Sequence, residues 1–259
     1  MDKLLQRLDV LRNLSSGLNS ELSLRYDLSG DLMPIGGLNM AHNQIVRALE
    51  LVYYYSTVLP QPRRGSLEDF MNDEPQSAQR IIDLLNSCFV TVLSSFESCA
   101  RKAVRWAPQV YGKAPNKIYL VNIIERSRKL GWIDSADELM WKKFIKLRNY
   151  VVHNNGEAQE DGLLTLPSGL FWEFRVGLES QVTLRHVPES LQWLLSAYAR
   201  WCDQLLKAWC ATFDYSEIWS EYYTYRITSS RLIPHWGLDN WSGKGAWTWR
   251  AQPPLGGNA

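Results

Sequence analysis

The sequence contains no run of eighteen apolar residues, so no segment is expected to cross a bilayer as a helix. The opening stretch, "MDKLLQRLDVLRNL", is amphipathic and lacks the apolar centre of a secretory leader. Cysteine is sparse: Cys88, Cys99, Cys202 and Cys210, with no CxxC pair and no histidine at metal-ligand spacing. All four lie among apolar residues in helical patterns, which points to buried, reduced thiols and a cytoplasmic setting. Neither a metal site nor a cofactor is expected. An excess of one charge is also missing: 28 Lys+Arg face 27 Asp+Glu, a net +1. That balance gives no global case for nucleic-acid or membrane binding.

What is present is uneven. From Arg101 to Arg148 there are 12 Lys+Arg and 4 Asp+Glu, a local +8 that leaves −7 for the rest. At 259 residues the chain can bury a sizeable core. Residues 1–16 read as a short amphipathic helix and 17–37, with four glycines and Pro34, as loop. "NMAHNQIVRALELVYYYSTVL" reads as a helix stopped by Pro60 and Pro62, and "QPRRGSLEDFMNDEPQS" as a polar connector. The longest helical pattern runs from Ala78 to about Ala107. Apolar residues at 81, 82, 85, 89, 92, 93, 96, 99, 100 and 104 keep its i, i+3, i+4, i+7 rhythm.

"NKIYLVNIIERSRKL" and "DSADELMWKKFIKLRNYVVHNNG" follow as helices. Asp134 or Ser135 can cap the second, and Asn154-Asn155-Gly156 can close it. The period then changes to two, and two or three short antiparallel strands are expected at about 162–187. "PESLQWLLSAYARWCDQLLKAWCATF" is a last long helix, with Pro188 in or near its first turn. The fold class is mainly α: an antiparallel helical bundle with a small β-hairpin inserted before the last long helix. Residues 1–75 form an N-terminal helical extension and linker, 76–212 the central domain, and 213–259 a Trp/Tyr-rich extension.

Within this frame, "KLRNYVVHNN" stands out. With about 100° per residue from Met140, one arc collects Leu147, Met140, Val151, Phe144, Trp141, Val152 and Ile145. Arg148 falls inside that apolar arc. Asn149, Lys142, His153, Lys146, Tyr150 and Lys143 fall opposite. An arginine on a packing face needs an acid, an interface or a wet groove, because an unpaired buried charge is costly. Glu97, the lone acid in "VTVLSSFESCARKAV", is the obvious partner. His153 can move protons near neutral pH. Arg148 and His153 diverge by about 140° in an ideal helix. They meet at one phosphate only if the helix unwinds near His153, or if two copies face each other across a two-fold axis.

Arg148-Asn149, three residues, then His153, preceded by "SSFESCAR" and "KLGWID", resembles the HEPN superfamily (higher eukaryotes and prokaryotes nucleotide-binding). The resemblance covers about residues 78–212. It implies a metal-independent endoribonuclease, of the kind found among toxins and antiviral effectors, working as a homodimer on RNA. It makes Arg148 and His153 catalytic, with Asn149 beside them. The chemistry fits these residue types. RNA brings its own 2′-OH nucleophile, His153 supplies general acid–base catalysis, and a planar guanidinium suits the phosphorane-like transition state. The product would be a 2′,3′-cyclic phosphate. Lys142, Lys143 and Lys146 are then candidates for an RNA phosphate track, and Glu97 for support.

Blander readings stand beside these. Arg148 can be a structural arginine paired with Glu97. His153 can be a histidine favoured by the helix C-terminus. The lysines can be a solvated face. His42, His186 and His235 have no partner pattern and read as structural. "VYYYS" at 52–56 reads as core and interface packing. The Trp-rich tail (Trp219, Trp236, Trp241, Trp247, Trp249) reads as packing or a protein-partner surface before RNA stacking. The alternative function is a non-catalytic HEPN module that binds RNA or scaffolds a complex. A regulatory or antitoxin protein partner fits the toxin reading. No membrane association is expected.

Overall fold

The computed structural model describes residues 1–30, 32–58, 72–114, 117–153, 158–177 and 184–211; at His153 it describes the backbone alone. Among them are seven helices and one two-stranded sheet. In chain order these are α1 (Asp2–Arg25), α2 (Gly36–Val58), α3 (Pro75–Trp106), α4 (Pro108–Tyr111), α5 (Leu120–Lys129), α6 (Ser135–His153), β1 (Gly162–Thr165), β2 (Phe171–Phe174) and α7 (His186–Cys210). The protein is mainly helical, with a small antiparallel sheet before the last long helix.

The first helix is longer than its sequence suggests. Gly17 lies inside α1, and α1 ends only at Arg25. A glycine within a helix costs about 1 kcal/mol relative to alanine. Packing of Leu4, Leu8, Leu11 and Leu22 into the core outweighs that cost. α2 then doubles back along α1: Ser15 meets His42, and Asn19 Nδ2 donates to the Gly30 carbonyl. α1 runs in the same direction as α7, clasped at one end by Arg7–Glu189 and at the other by Arg25–Asp203. The helices of residues 1–58 therefore share one apolar core with those that follow.

All ten apolar positions that set the rhythm of α3 are buried. Phe96 stacks on Tyr198 of α7 with ring centroids 4.0 Å apart, and Phe89 meets Phe144 of α6. By length and composition α3 could cross a membrane, with a mean hydropathy of 1.2 over an 18-residue window. In this fold its apolar face is the centre of the core. Gly37 in the first turn of α2 permits a close approach: a Cβ there would lie 2.6 Å from Tyr198 Oη.

The strand pair has Gly162 opposite Phe174 and Thr165 opposite Phe171. Leu164, Trp172 and Phe174 face inward, while Leu163 and Phe171 face out. Gly169, at φ +84°, lets the turn close between Leu166 and Leu170. A third strand would fall at 178–183, outside the described residues.

Several expectations need correction. α5 begins at Leu120, four residues after the expected Asn116. α7 begins at His186, two residues before Pro188. In the 52–56 stretch Val52 is buried in the core, while Tyr53 and Tyr54, 63% and 57% exposed, lie at the surface. His42 and His186 do have partners, in keeping with structural roles: Ser15 and the Arg12 carbonyl for the first, the Phe171 carbonyl for the second. His235 and the Trp-rich extension lie outside the described residues.

Candidate functional site

α6 starts where its sequence says it should. The Asp134 carboxylate accepts the Asp137 N–H at 2.7 Å, and Asp137 and Glu138 place negative charge in the first turn. Trp141, Phe144, Ile145 and Leu147 then enter the core. Tyr150 enters too, against Phe174 of the hairpin at 6.1 Å between ring centroids. Its expected place on the polar side was wrong, because the hairpin covers that flank of the helix. Val152, assigned to the apolar arc, is 49% exposed.

Arg148 lies within this buried stripe but its side chain keeps 17% exposure. Its Nη1 donates to Glu97 Oε2 at 2.5 Å. Its Nε and Nη2 both donate to Asn149 Oδ1, at 3.3 and 3.2 Å. The second oxygen of Glu97 accepts the backbone N–H of Leu120 at 3.1 Å, at the start of α5. One carboxylate thus ties together α3, the N-terminus of α5 and α6. A helix N-terminus favours an anion there, so Glu97 is stabilised from two sides. A guanidinium has five N–H donors. Among the described residues three are used, leaving one on each of Nη1 and Nη2.

The three lysines are less free than expected. Lys142 contacts Glu125 and Glu138, each at 2.9 Å. Its pKa is held above the ordinary lysine value, first by the hydrogen bond to Glu125 and then by that to Glu138. Lys143 Nζ donates to the Leu163 carbonyl at 2.6 Å, and Lys146 pairs with Glu160. These contacts staple α6 to α5 and to the hairpin.

α6 stays helical through His153. Unwinding therefore does not occur between Arg148 and His153, which stand five residues apart on one continuous helix. The expected Asn-Asn-Gly cap at 154–156 lies outside the described residues, as does the His153 side chain. Among the described residues no group of three His, Cys, Asp or Glu could hold a metal ion.

Sequence reasoning paired Glu97 with Arg148, and the structure brings them together. It missed the α5 N-terminus as the second partner of Glu97, because a backbone donor leaves no mark on residue type. It also grouped Asn149 with His153, whereas the amide turns to the guanidinium. A groove of about 790 Å³ opens elsewhere, between α1, the hairpin turn and α7, beside Arg7, Glu189 and Trp193; none of the Arg148 group lines it. No family model, curated protein or solved structure matches the chain.

Proposed function

We propose that this chain is a metal-independent endoribonuclease of HEPN type, acting as a homodimer whose composite site cleaves RNA by 2′-OH attack. One observation carries the reading. Arg148 is oriented by Glu97 and Asn149, remains partly exposed, and keeps two N–H donors on its planar fork. Those donors suit two oxygens of a phosphoryl group. His153 follows on the same helix and supplies the proton transfer.

Helix geometry supports the homodimer. A helix that continues through His153 supports pairing Arg148 of one copy with His153 of the other. The buried thiols fit a reducing cytoplasm: burial pushes the Cys88 thiol up to about 12 and Cys99 to about 11, so neither is a reactive thiolate. In this reading the protein is a toxin or antiviral effector restrained by a regulatory protein.

The test is cleavage of unstructured RNA in EDTA with analysis of product ends. Wild-type protein should leave 2′,3′-cyclic phosphates. Arg148→Ala and His153→Ala should each lower the rate by about 10²-fold or more. Mixing the two inactive variants should restore a fraction of the activity, since one of the two composite sites is then intact. RNA left whole by wild-type dimer would sink the enzyme. Activity without restoration on mixing would place both groups in one chain.

A second reading has its own observation. Arg148 neutralising Glu97 inside one chain is also what a purely architectural arginine does. A non-catalytic module would bind RNA or a protein complex equally well after His153→Ala.

A further inference from the structure

Residues 101 to 133 contain eight lysines and arginines and a single acid, Glu125. That acid is spent on Lys142 of α6. The cations sit on three consecutive stretches of chain: the last turns of α3, the connection that follows the one-turn α4, and α5, with α3 in contact with both short helices. Arg126 Nε donates to the Tyr111 carbonyl at 3.3 Å, and the Tyr111 ring leans on Trp132, which pins α4 to α5.

Arg101, Lys102, Lys113, Lys117, Arg128 and Lys129 make no ion pair among the described residues. All but Arg101 are exposed. The acids on the elements packed beside them are engaged elsewhere: Glu97 by Arg148, Asp134 by the α6 N-terminus, Asp137 by Arg200 and Glu138 by Lys142. Such a surface concentrates counter-ions and attracts a polyanion. One exposed aromatic side chain belongs to the same segment of chain. Tyr119, 59% exposed, follows Lys117 by two residues and precedes Leu120, whose N–H binds Glu97.

We propose that this surface is a docking track for single-stranded RNA, with phosphates on Lys102, Lys113, Lys117, Arg128 and Lys129 and an unpaired base stacked on Tyr119. The bound strand then leads to the Glu97–Arg148 group. The proposal rests on the ribonuclease reading only for what happens at that group; the binding stands by itself. An exposed tyrosine amid cations suits a strand of stacked bases better than an acidic peptide, which offers charge without planar faces.

The probe is a labelled 2′-O-methyl oligouridine, which binds as RNA but has no free 2′-OH to attack. Its binding to the full chain is followed by fluorescence anisotropy across a salt series. The triple variant K102Q/K113Q/K117Q should weaken binding at least tenfold and flatten the log–log salt slope by about 2, at ~0.7 per phosphate lost on a single strand. The triple variant K142Q/K143Q/K146Q should change it less than twofold. Tyr119→Ala should weaken oligouridine several-fold and leave heparin binding unchanged. Wild-type affinity in K102Q/K113Q/K117Q overturns the track. Equal insensitivity of oligouridine and heparin to Tyr119→Ala overturns the RNA assignment in favour of a general polyanion or acidic-protein surface. Tight binding with no cleavage of unmodified RNA removes the enzyme and keeps the track.

Discussion

Glu97 holds Arg148 by a charge and Leu120 by a backbone N–H, and the two can be separated by substitution. Glu97→Gln keeps an acceptor for Leu120 but removes the charge facing the guanidinium. Because both side chains are more than four-fifths buried, the expected cost is roughly 1–3 kcal/mol in urea unfolding. Cleavage should fall further than stability does. An unchanged urea midpoint would show that the pair contributes nothing net. His186 offers a second test at this scale. Its Nε2 donates to the Phe171 carbonyl at 2.9 Å, and burial is the largest influence on its pKa, lowering it below 6.5. The folded state thus prefers the neutral ring. Stability from this preference is present above the unfolded pKa of about 6.5 and is lost as pH falls towards the lowered folded value. Thermal unfolding should show a falling midpoint between about pH 7.5 and 5, with a shallower fall in His186→Gln. Identical slopes would remove His186 from the account.

At the scale of elements, Gly37 marks where α2 approaches Tyr198. Tyr198 is stacked on Phe96, and its hydroxyl donates to the Pro34 carbonyl at 3.0 Å, so it cannot retreat cheaply. Gly37→Ala should destabilise by about 1–3 kcal/mol despite the better helix propensity of alanine, read as a lower urea midpoint at constant slope. A gain in stability would mean that the ring shifts freely. The same element shows why reading the sequence succeeded unevenly. α3 was legible because its ten apolar positions repeat without interruption. α1 was cut short on paper because Gly17 is a local signal, whereas the core contacts that extend the helix to Arg25 are tertiary. Tyr150 was misplaced for a related reason: a single-helix wheel has no knowledge of a hairpin arriving from the next twenty-five residues. The Glu97–Arg148 pair could be found because each is the odd residue in its stripe. The engagement of Lys142, Lys143 and Lys146 could not, since lysine in a charge run looks the same whether paired or solvated.

At the scale of the whole molecule, positive charge is divided between two uses. On α6 it staples neighbouring elements; on the end of α3, the connection after α4, and α5 it is left open to solvent. If the composite site forms as proposed, light scattering should report a dimer at micromolar concentration, and cleavage per chain should fall on dilution below its dissociation constant. A monomer with undiminished activity would contradict it. The parallel clasp of α1 on α7 has a further consequence for how the chain is made. Arg7 and Glu189 are separated by 182 positions, and Arg25 and Asp203 by 178. Contacts this distant form late and close large loops. During translation α1 leaves the ribosome well before α7, and the face of α1 that meets α7 waits for that helix to emerge. α2 can cover one side of α1 early, but the side that meets α7 stays open, so a nascent chain stalled before α7 should be a preferred substrate for chaperones and for quality-control proteolysis.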